Sequence, residues 1–319
     1  MARTEYFTHP KIAKAEIPAW EQTPFVLNGD LYHAGFRRAW SATCGHGIII
    51  EKFDAVRRCF YKVGDLPTDR YLGCVLTLDD GRVIVFTTTD VAFTENSVMA
   101  REVDPETWTW VGEEWEAFQA PVGFSVFNSS ACVYPGGYAL AVETDEGNIG
   151  PDGKPIAFSI RIVTSTDLHT WAPPGGLFYP DIYFACPSIR WVPEAGRFMG
   201  TFLWQNKDPA LPDDHPLKII FESGTFWISA DFASYDVFHG SPTVDAHAPL
   251  MSPDACEGVN NSDVDLAEWF DPMPRPGFPE GGWVVHYVYM TGDQKTWAFN
   301  NYARFEGRLI DYYRSLWPA

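Results

Sequence analysis

Cationic charge is scarce in this sequence: 23 Lys and Arg stand against 42 Asp and Glu in 319 residues, for a formal net charge of −19. That balance argues against nucleic acid or an anionic membrane surface as partner, because both require a positive footprint. It serves solubility first, and it also fits a neutral substrate handled by carboxylates. The 6 cysteines (Cys44, Cys59, Cys74, Cys132, Cys186 and Cys256) are scattered, with no C-x-x-C pair and no metal-finger spacing. Several sit in apolar runs, where a free Cys acts as a small hydrophobe. There is no apolar run of about 18 residues to span a membrane. A nucleotide-binding Gly-rich motif, a zinc-binding helix motif and a Gly-x-Ser-x-Gly elbow are all absent. Met1-Ala2-Arg3-Thr4-Glu5-Tyr6 lacks the apolar core of a signal peptide. The expectation is therefore a cytoplasmic chain with reduced thiols, although a secreted chain after signal removal would look the same. Helical periodicity is also rare and is limited to the stretch from Arg308 to Leu316.

The chain is rich in short apolar runs and in residues that break them. Aromatics make up 16% of it, and 26 Gly and 25 Pro punctuate the rest, a mix that points to many strands and turns. Pro24 to Leu27, then Asn28-Gly29-Asp30, then Leu31 to Phe36 reads as strand, tight turn, strand. Comparable hairpins turn at Asp79-Asp80-Gly81, at Pro135-Gly136-Gly137 and after Val192. A last one joins Asn260–Leu266 to Trp283–Met290. Residues before about Trp20 have no clear periodicity and are expected to wrap the outside of the first unit.

Hairpin-led units at a spacing of about 45 to 60 residues are the signature of radial repetition. Ser165-Thr166-Asp167-Leu168-His169-Thr170-Trp171 is echoed by Ser229-Ala230-Asp231-Phe232-Ala233-Ser234-Tyr235. In each, Asp is placed to bond nearby amides as an Asx turn with the aromatic packed beneath. A two-sheet sandwich is the competing architecture. The period favours an all-β, single-domain five-bladed β-propeller, with blades at roughly 24–60, 70–118, 127–172, 185–240 and 261–317.

In such a fold, one end of the channel collects the residues that open each innermost strand and close the next. The opening group is Glu21, Asp69 with Arg70, Asn128 with Ser129, Asp181 with Cys186, and Asn261 with Asp263. The closing group is Arg37 with Arg38, Asp90, Glu143 with Asp145, Gln205 with Asn206, and Asp293 with Gln294. Carboxylates, amides, Arg and aromatics on one rim suit a sugar, whose hydroxyls meet polar groups and whose ring meets an aromatic face.

The five-unit plan, the Ser-x-Asp-Leu-x-x-Trp blade ending and the Cys-Pro-Ser-Ile strand start resemble the five-bladed propeller glycoside hydrolases, the broad group around families 32, 43 and 117. The chain is most similar to uncharacterised bacterial members that carry an Asn-Asn-Ser-Asp-x-Asp segment, here Asn260 to Asp265, and an aromatic Gly-Asp-Gln segment, here Gly292-Asp293-Gln294. The resemblance runs from about Thr23 to Trp317 and implies cleavage of a glycosidic bond by carboxylates at the funnel. It does not extend to the Trp-Met-Asn-Asp-Pro-Asn-Gly and Arg-Asp-Pro motifs of family 32, so it supplies no nucleophile or base from the first blade. Glu257-Gly258 matches a family-type Glu-Gly pair but precedes the fifth blade.

Residue by residue, Asp263 reads as the base or nucleophile, with a turn-capping Asp as the competing reading. Asp265, two residues on, shares its face deeper in the channel and reads as a further substrate contact, with a structural, water-bridged Asp as the competing reading. Glu143 ends an apolar strand, which should raise its pKa towards that of a general acid; the alternative is an exposed strand-end Glu. His46, Arg37, Asn128, Trp204 and Asp293 are the expected substrate contacts, and His46 reads equally as a base, a metal ligand or none of these. The expected activity is hydrolysis of a small furanose or anhydro-sugar oligosaccharide by a carboxylate pair. A non-catalytic carbohydrate-binding propeller is the alternative. No organic cofactor or redox metal is expected, while calcium held by funnel Asp and amide oxygens would fit as a structural element.

Overall fold

The Asn28-Gly29 turn shows how the chain builds its sheets. Leu27 pairs with Asp30 across it, and the two turn residues have φ of 53° and 84°. Left-handed backbone at both positions is what a two-residue turn matched to strand twist requires, and Asn and Gly tolerate it best. The computed structural model describes residues 11–14, 20–37, 45–146, 148–149, 155–156, 158–173, 183–207, 210–212, 215, 219–238, 260–292 and 297–317.

These residues form five antiparallel sheets arranged as the blades of a β-propeller. The first blade is β2 (Trp20–Leu27), β3 (Asp30–Arg37), β4 (Gly47–Asp54) and β5 (Cys59–Pro67); β1 (Lys11–Lys14) precedes it in sequence. The second is β6 (Arg70–Thr77), β7 (Val83–Asp90), β8 (Ser97–Asp104) and β9 (Thr109–Gln119). The third has β10 (Val126–Tyr134), β11 (Gly137–Thr144) and β14 (Ser159–Ser165), with a bridge from Thr164 to Ala172 at its outer edge. A small ribbon of β12 (Asn148–Ile149) and β13 (Pro155–Ile156) interrupts it. The fourth is β15 (Ala185–Val192), β16 (Arg197–Lys207), β17 (Ile219–Ser229) and β18 (Tyr235–Phe238). The fifth is β19 (Asn260–Asp271), β20 (Gly282–Gly292) and β21 (Trp297–Glu306), followed by helix α1 (Leu309–Leu316). The fourth strand of this last blade is β1, with Lys11 opposite Ala303. The segment before Trp20 thus does not simply wrap the first blade: its Lys11–Lys14 stretch completes the fifth.

Five apolar clusters fill the spaces between neighbouring blades. Phe25, Phe36 and Ile50 meet Tyr71 and Val85; Phe86 and Ala100 meet Leu140 and Val163; Ile160 and Ile162 meet Phe202 and Phe226. Met199 meets Tyr287 and the buried side of α1, and Trp269 meets Leu31 and Phe53 to close the ring. Both faces of each blade are therefore covered, which explains runs such as Ile48-Ile49-Ile50 with every residue buried. A sheet with one wet face would alternate instead.

A second local rule governs the turn from third to fourth strand. Asp54 Oδ1 accepts the Val56 and Arg57 amides at 2.9 Å, and Asp104 Oδ1 accepts the Glu106 amide at 2.8 Å. Asp167 Oδ1 accepts the His169 and Thr170 amides at 2.9 and 2.7 Å, and Asp231 Oδ1 accepts the Ala233 amide at 3.1 Å. Each of these turns also holds a non-glycine residue in left-handed backbone: Arg58, Trp108, Leu168 and Phe232, with φ of 60°, 52°, 69° and 60°. In the second repeat the packed aromatic is Phe232, stacked on Phe198 at 5.1 Å, whereas Tyr235 is 40% exposed. The expectation of Tyr235 packed beneath its turn is thereby corrected, because the left-handed residue is the one directed inward. Among the described residues no helix is long and apolar enough to cross a membrane.

Candidate active site

Each innermost strand carries a β-bulge close to its first residues. The pairing slips between Trp20 and Gln22, around Leu72, between Val126 and Ser129, between Ala185 and Ser188, and between Ser262 and Asp265. A bulge leaves one residue out of the ladder and re-aims its side chain. In three blades that residue is left-handed: Glu21 at φ 46°, Cys186 at 48° and Asp263 at 51°. The five strand starts surround a recess of about 310 Å3, open solvent included, lined by Glu21, Gln22, Gly73, Asn128, Cys186 and Asp263 among others. Gly73 is required there, since a Cβ on it would lie 2.2 Å from Ser129 Oγ.

Glu143 stands behind this wall at the end of β11, 3% exposed. Its neighbours Val142 and Thr144 pair with Ser129 and Val126, so Glu143 faces the bulge itself. Its Oε2 accepts the Asn128 side-chain amide at 2.9 Å and the Cys186 backbone N–H at 2.6 Å. Burial pushes its carboxyl up to about 7; the Cys186 N–H and Asn128 amide oppose this, and the Asp263 carboxylate adds to it. The Cys186 thiol accepts from Asn128 Nδ2 at 3.2 Å and hydrogen-bonds to Asp263. Burial first, then the charges of Asp263, Glu143 and Glu21, keep that thiol protonated. Asn128, Cys186, Glu143 and Asp263 thus form one connected polar group contributed by three blades.

Asp265 lines the recess deeper along β19 and is ion-paired with Arg190 at 2.8 Å. Arg190 also donates to the Leu266 carbonyl at 2.9 Å and to Ser130 Oγ at 3.1 Å, tying blades three, four and five together. Asp265 is therefore occupied by an internal cation.

The structure gathers Asp263, Asn128 and Asp265 on the recess and Glu143 directly behind it. It does not bring Arg37 or His46 to the recess wall. Arg37 is committed to Asp65 on β5 at 2.5 Å and to the Gly45 carbonyl at 3.2 Å. His46 stacks on Phe36 with ring centroids 5.9 Å apart. Trp204 falls on β16, but its side chain lies outside the described residues, as do the side chains of Asn261 and Ser262 and all of Asp293.

His46 instead begins an arc of ring contacts that runs from the first blade to the start of the fourth. Phe36 meets Tyr71 at 4.8 Å, Tyr71 meets Phe93 at 5.4 Å, and Phe93 meets Phe127 at 6.3 Å. Phe127 meets Phe158 at 4.9 Å, and Phe158 meets Tyr183 at 5.5 Å. Tyr183 ends the arc; its burial first, and then the charges of Glu143, Cys186 and Asp263, raise its phenol pKa. Sequence reasoning missed Tyr183, Arg190 and the role of Cys186. The signal that could have found Cys186, and promoted Glu21, was their shared offset from the start of each innermost strand.

Among the described residues no three His, Cys, Asp or Glu side chains cluster as a metal-ligand set. No family model and no curated protein sequence matches the chain. Solved structures do match in fold. The α-L-arabinofuranosidase of Fusarium graminearum is 10% identical over 94% of this chain and 99% of its own, with a TM-score of 0.58. The sucrose-6-phosphate hydrolase of Lactobacillus gasseri is 16% identical with a TM-score of 0.61; 97% of this chain is covered, which spans 63% of that enzyme's length. The arabinanase of Bacillus subtilis is 8% identical over 92% of this chain and 97% of its own, with a TM-score of 0.58.

Proposed function

We propose that this protein is a glycoside hydrolase acting on a small, furanose-type or anhydro-sugar residue of an oligosaccharide. The observation that carries the reading is a pair of carboxyl groups in unlike settings beside one recess. Glu143, buried and raised to about 7, is the acid; Asp263, on the recess wall, is the base or nucleophile. Such a split lets one carboxyl keep a proton while the other is ionised. Protonation of the leaving oxygen by Glu143 would release the aglycone, and Asp263 would either activate water or attack the anomeric carbon.

The surroundings support a neutral, ring-shaped substrate. Asn128 lines the recess and offers an amide, and Tyr183 brings an aromatic ring into the field of Glu143 and Asp263. The fold neighbours include an α-L-arabinofuranosidase and an arabinanase, which makes L-arabinofuranosides the first substrates to try.

One observation favours the second reading, a carbohydrate-binding propeller without turnover: Glu143 is only 3% exposed and is screened by Asn128 and Cys186. Incubation with 4-nitrophenyl α-L-arabinofuranoside, arabinobiose and fructo-oligosaccharides separates the two. Release of sugar from any of them, unaffected by prolonged chelation, supports the hydrolase. Saturable binding of the same compounds without release overturns it in favour of the binding protein.

A further inference from the structure

Gln22 follows the left-handed Glu21 on β2 and lines the recess, yet it is 7% exposed. Its Oε1 lies 2.8 Å from His33 Nε2, while its amide nitrogen is buried without a hydrogen-bond partner. His33 sits on β3 opposite Glu51 on β4, and its Nδ1 is 3.2 Å from Glu51 Oε2. The ring is held edge-on by Phe60 and Tyr302, each 5.7 Å away. His33 is therefore clamped between two acceptors, a carboxylate on one side and an amide oxygen on the other. The ring nitrogen that faces the Gln22 amide oxygen carries the N–H, and with that oxygen on the ring the Gln22 NH2 is turned away from His33. Its NH2 is then the part left for the recess.

We infer that Gln22 is a substrate-contacting residue whose amide nitrogen donates to a sugar oxygen, and that His33, braced by Glu51, is the positioning residue that sets which amide atom faces the recess. This rests on the reading of the recess as a sugar site. Nothing else within the Gln22–His33–Glu51 group uses that nitrogen, and leaving a buried donor unmet is costly in a protein interior. A hydroxyl or ring oxygen held against Gln22 would meet it. A His33 ring bare at Nε2 would instead turn the amide around and present an acceptor. The His33–Glu51 pair thereby selects for an acceptor on the ligand.

The test uses the full chain, L-arabinose and methyl α-L-arabinofuranoside as probes, and calorimetric titration. Gln22→Met is expected to bind about 3- to 10-fold more weakly, the loss of one net hydrogen bond. His33→Phe is expected to lose the same amount, and the double variant no more than Gln22→Met alone, because His33 acts only through Gln22. Independently, nitrogen NMR of the wild-type imidazoles should show a proton on His33 Nε2. Unchanged affinity in Gln22→Met, additive losses in the double variant, or a His33 ring bare at Nε2 would each overturn the proposal. If the wild type binds neither probe nor any sugar of the panel above, the sugar reading falls and the contact falls with it. The two failures are told apart by whether the wild type binds.

Discussion

Asn128 and Glu143 meet across the bulge at the mouth of the third blade, with Asn128 Nδ2 donating to Glu143 Oε2 at 2.9 Å. The contact exists because β10 drops out of register between Val126 and Ser129, which turns Asn128 towards the end of β11. The same carboxylate oxygen takes the Cys186 N–H from the next blade. Two donors favour the ionised form, yet burial outweighs them, and the carboxyl rises from its ordinary value near 4.5 to about 7.

That rise has a defined sign. Between about 4.5 and about 7 the folded state binds a proton that the unfolded chain has released, so stability falls as pH climbs through this window. The total loss is on the order of 3 kcal/mol. Chemical denaturation at pH 5 and at pH 8 should show it in the wild type, and Glu143→Gln should flatten the difference. In the proposed reaction, the same variant should lose the alkaline limb of the rate profile. It should also hurt substrates with poor leaving groups far more than aryl glycosides, whose departure needs little protonation.

Asp263→Asn should cost about 10²- to 10⁴-fold in turnover while leaving sugar affinity and melting temperature nearly unchanged. Asn suits the position because it tolerates the left-handed backbone found there, φ 51°. Near-full activity in this variant would remove Asp263 from the reaction and turn attention to Glu21.

Arg190→Met should destabilise the protein by about 3 to 5 kcal/mol, because it strands the buried Asp265 carboxylate without its cation. Arg190→Met combined with Asp265→Leu should recover much of that loss. Urea unfolding of the wild type and the two variants checks it; equal stability of the single and double variants would contradict the buried-pair account.

Two glycines should behave differently when given a methyl group. At Gly200 the new Cβ would lie 1.8 Å from the Ser188 carbonyl oxygen, which is backbone and cannot turn aside. At Gly73 the nearest atom is Ser129 Oγ at 2.2 Å, which a second substitution can remove. Gly200→Ala should lower the melting temperature beyond repair by any single partner change. Gly73→Ala, costing about 1 to 3 kcal/mol, should be partly rescued by Ser129→Ala.

The propeller was legible because its blades are covered on both faces. Continuous apolar runs such as Val83–Phe86, broken by turns such as Asn28-Gly29, announce strands without the need for alternation. Lys11–Lys14 was not legible, since a short outer strand held by backbone pairing needs no apolar pattern. Asn128, Glu143 and Asp263 could be grouped because strand starts and second-strand ends meet at one mouth. Arg37 obeys the same rule but is captured by Asp65 from the fourth strand of its own blade, a pairing with no local trace in the sequence. Cys186 was grouped with the strand openers but not as a partner of Glu143 and Asp263, because only the folded bulge brings its N–H and thiol to them.

The pairing of Lys11 with Ala303 ties the earliest described strand to the latest. During synthesis, β1 leaves the ribosome long before its partner exists, and β19 to β21 emerge when every other blade is already made. The ring therefore cannot be sealed before β21 is made. Until β19 is made, the Arg58–Asp271 ion pair and the Trp269–Gly29 hydrogen bond between the first and fifth blades are also unmade. The recess needs all five strand starts, so ligand binding becomes a report on completion: a nascent or truncated chain can hold most of its blades and still have no site.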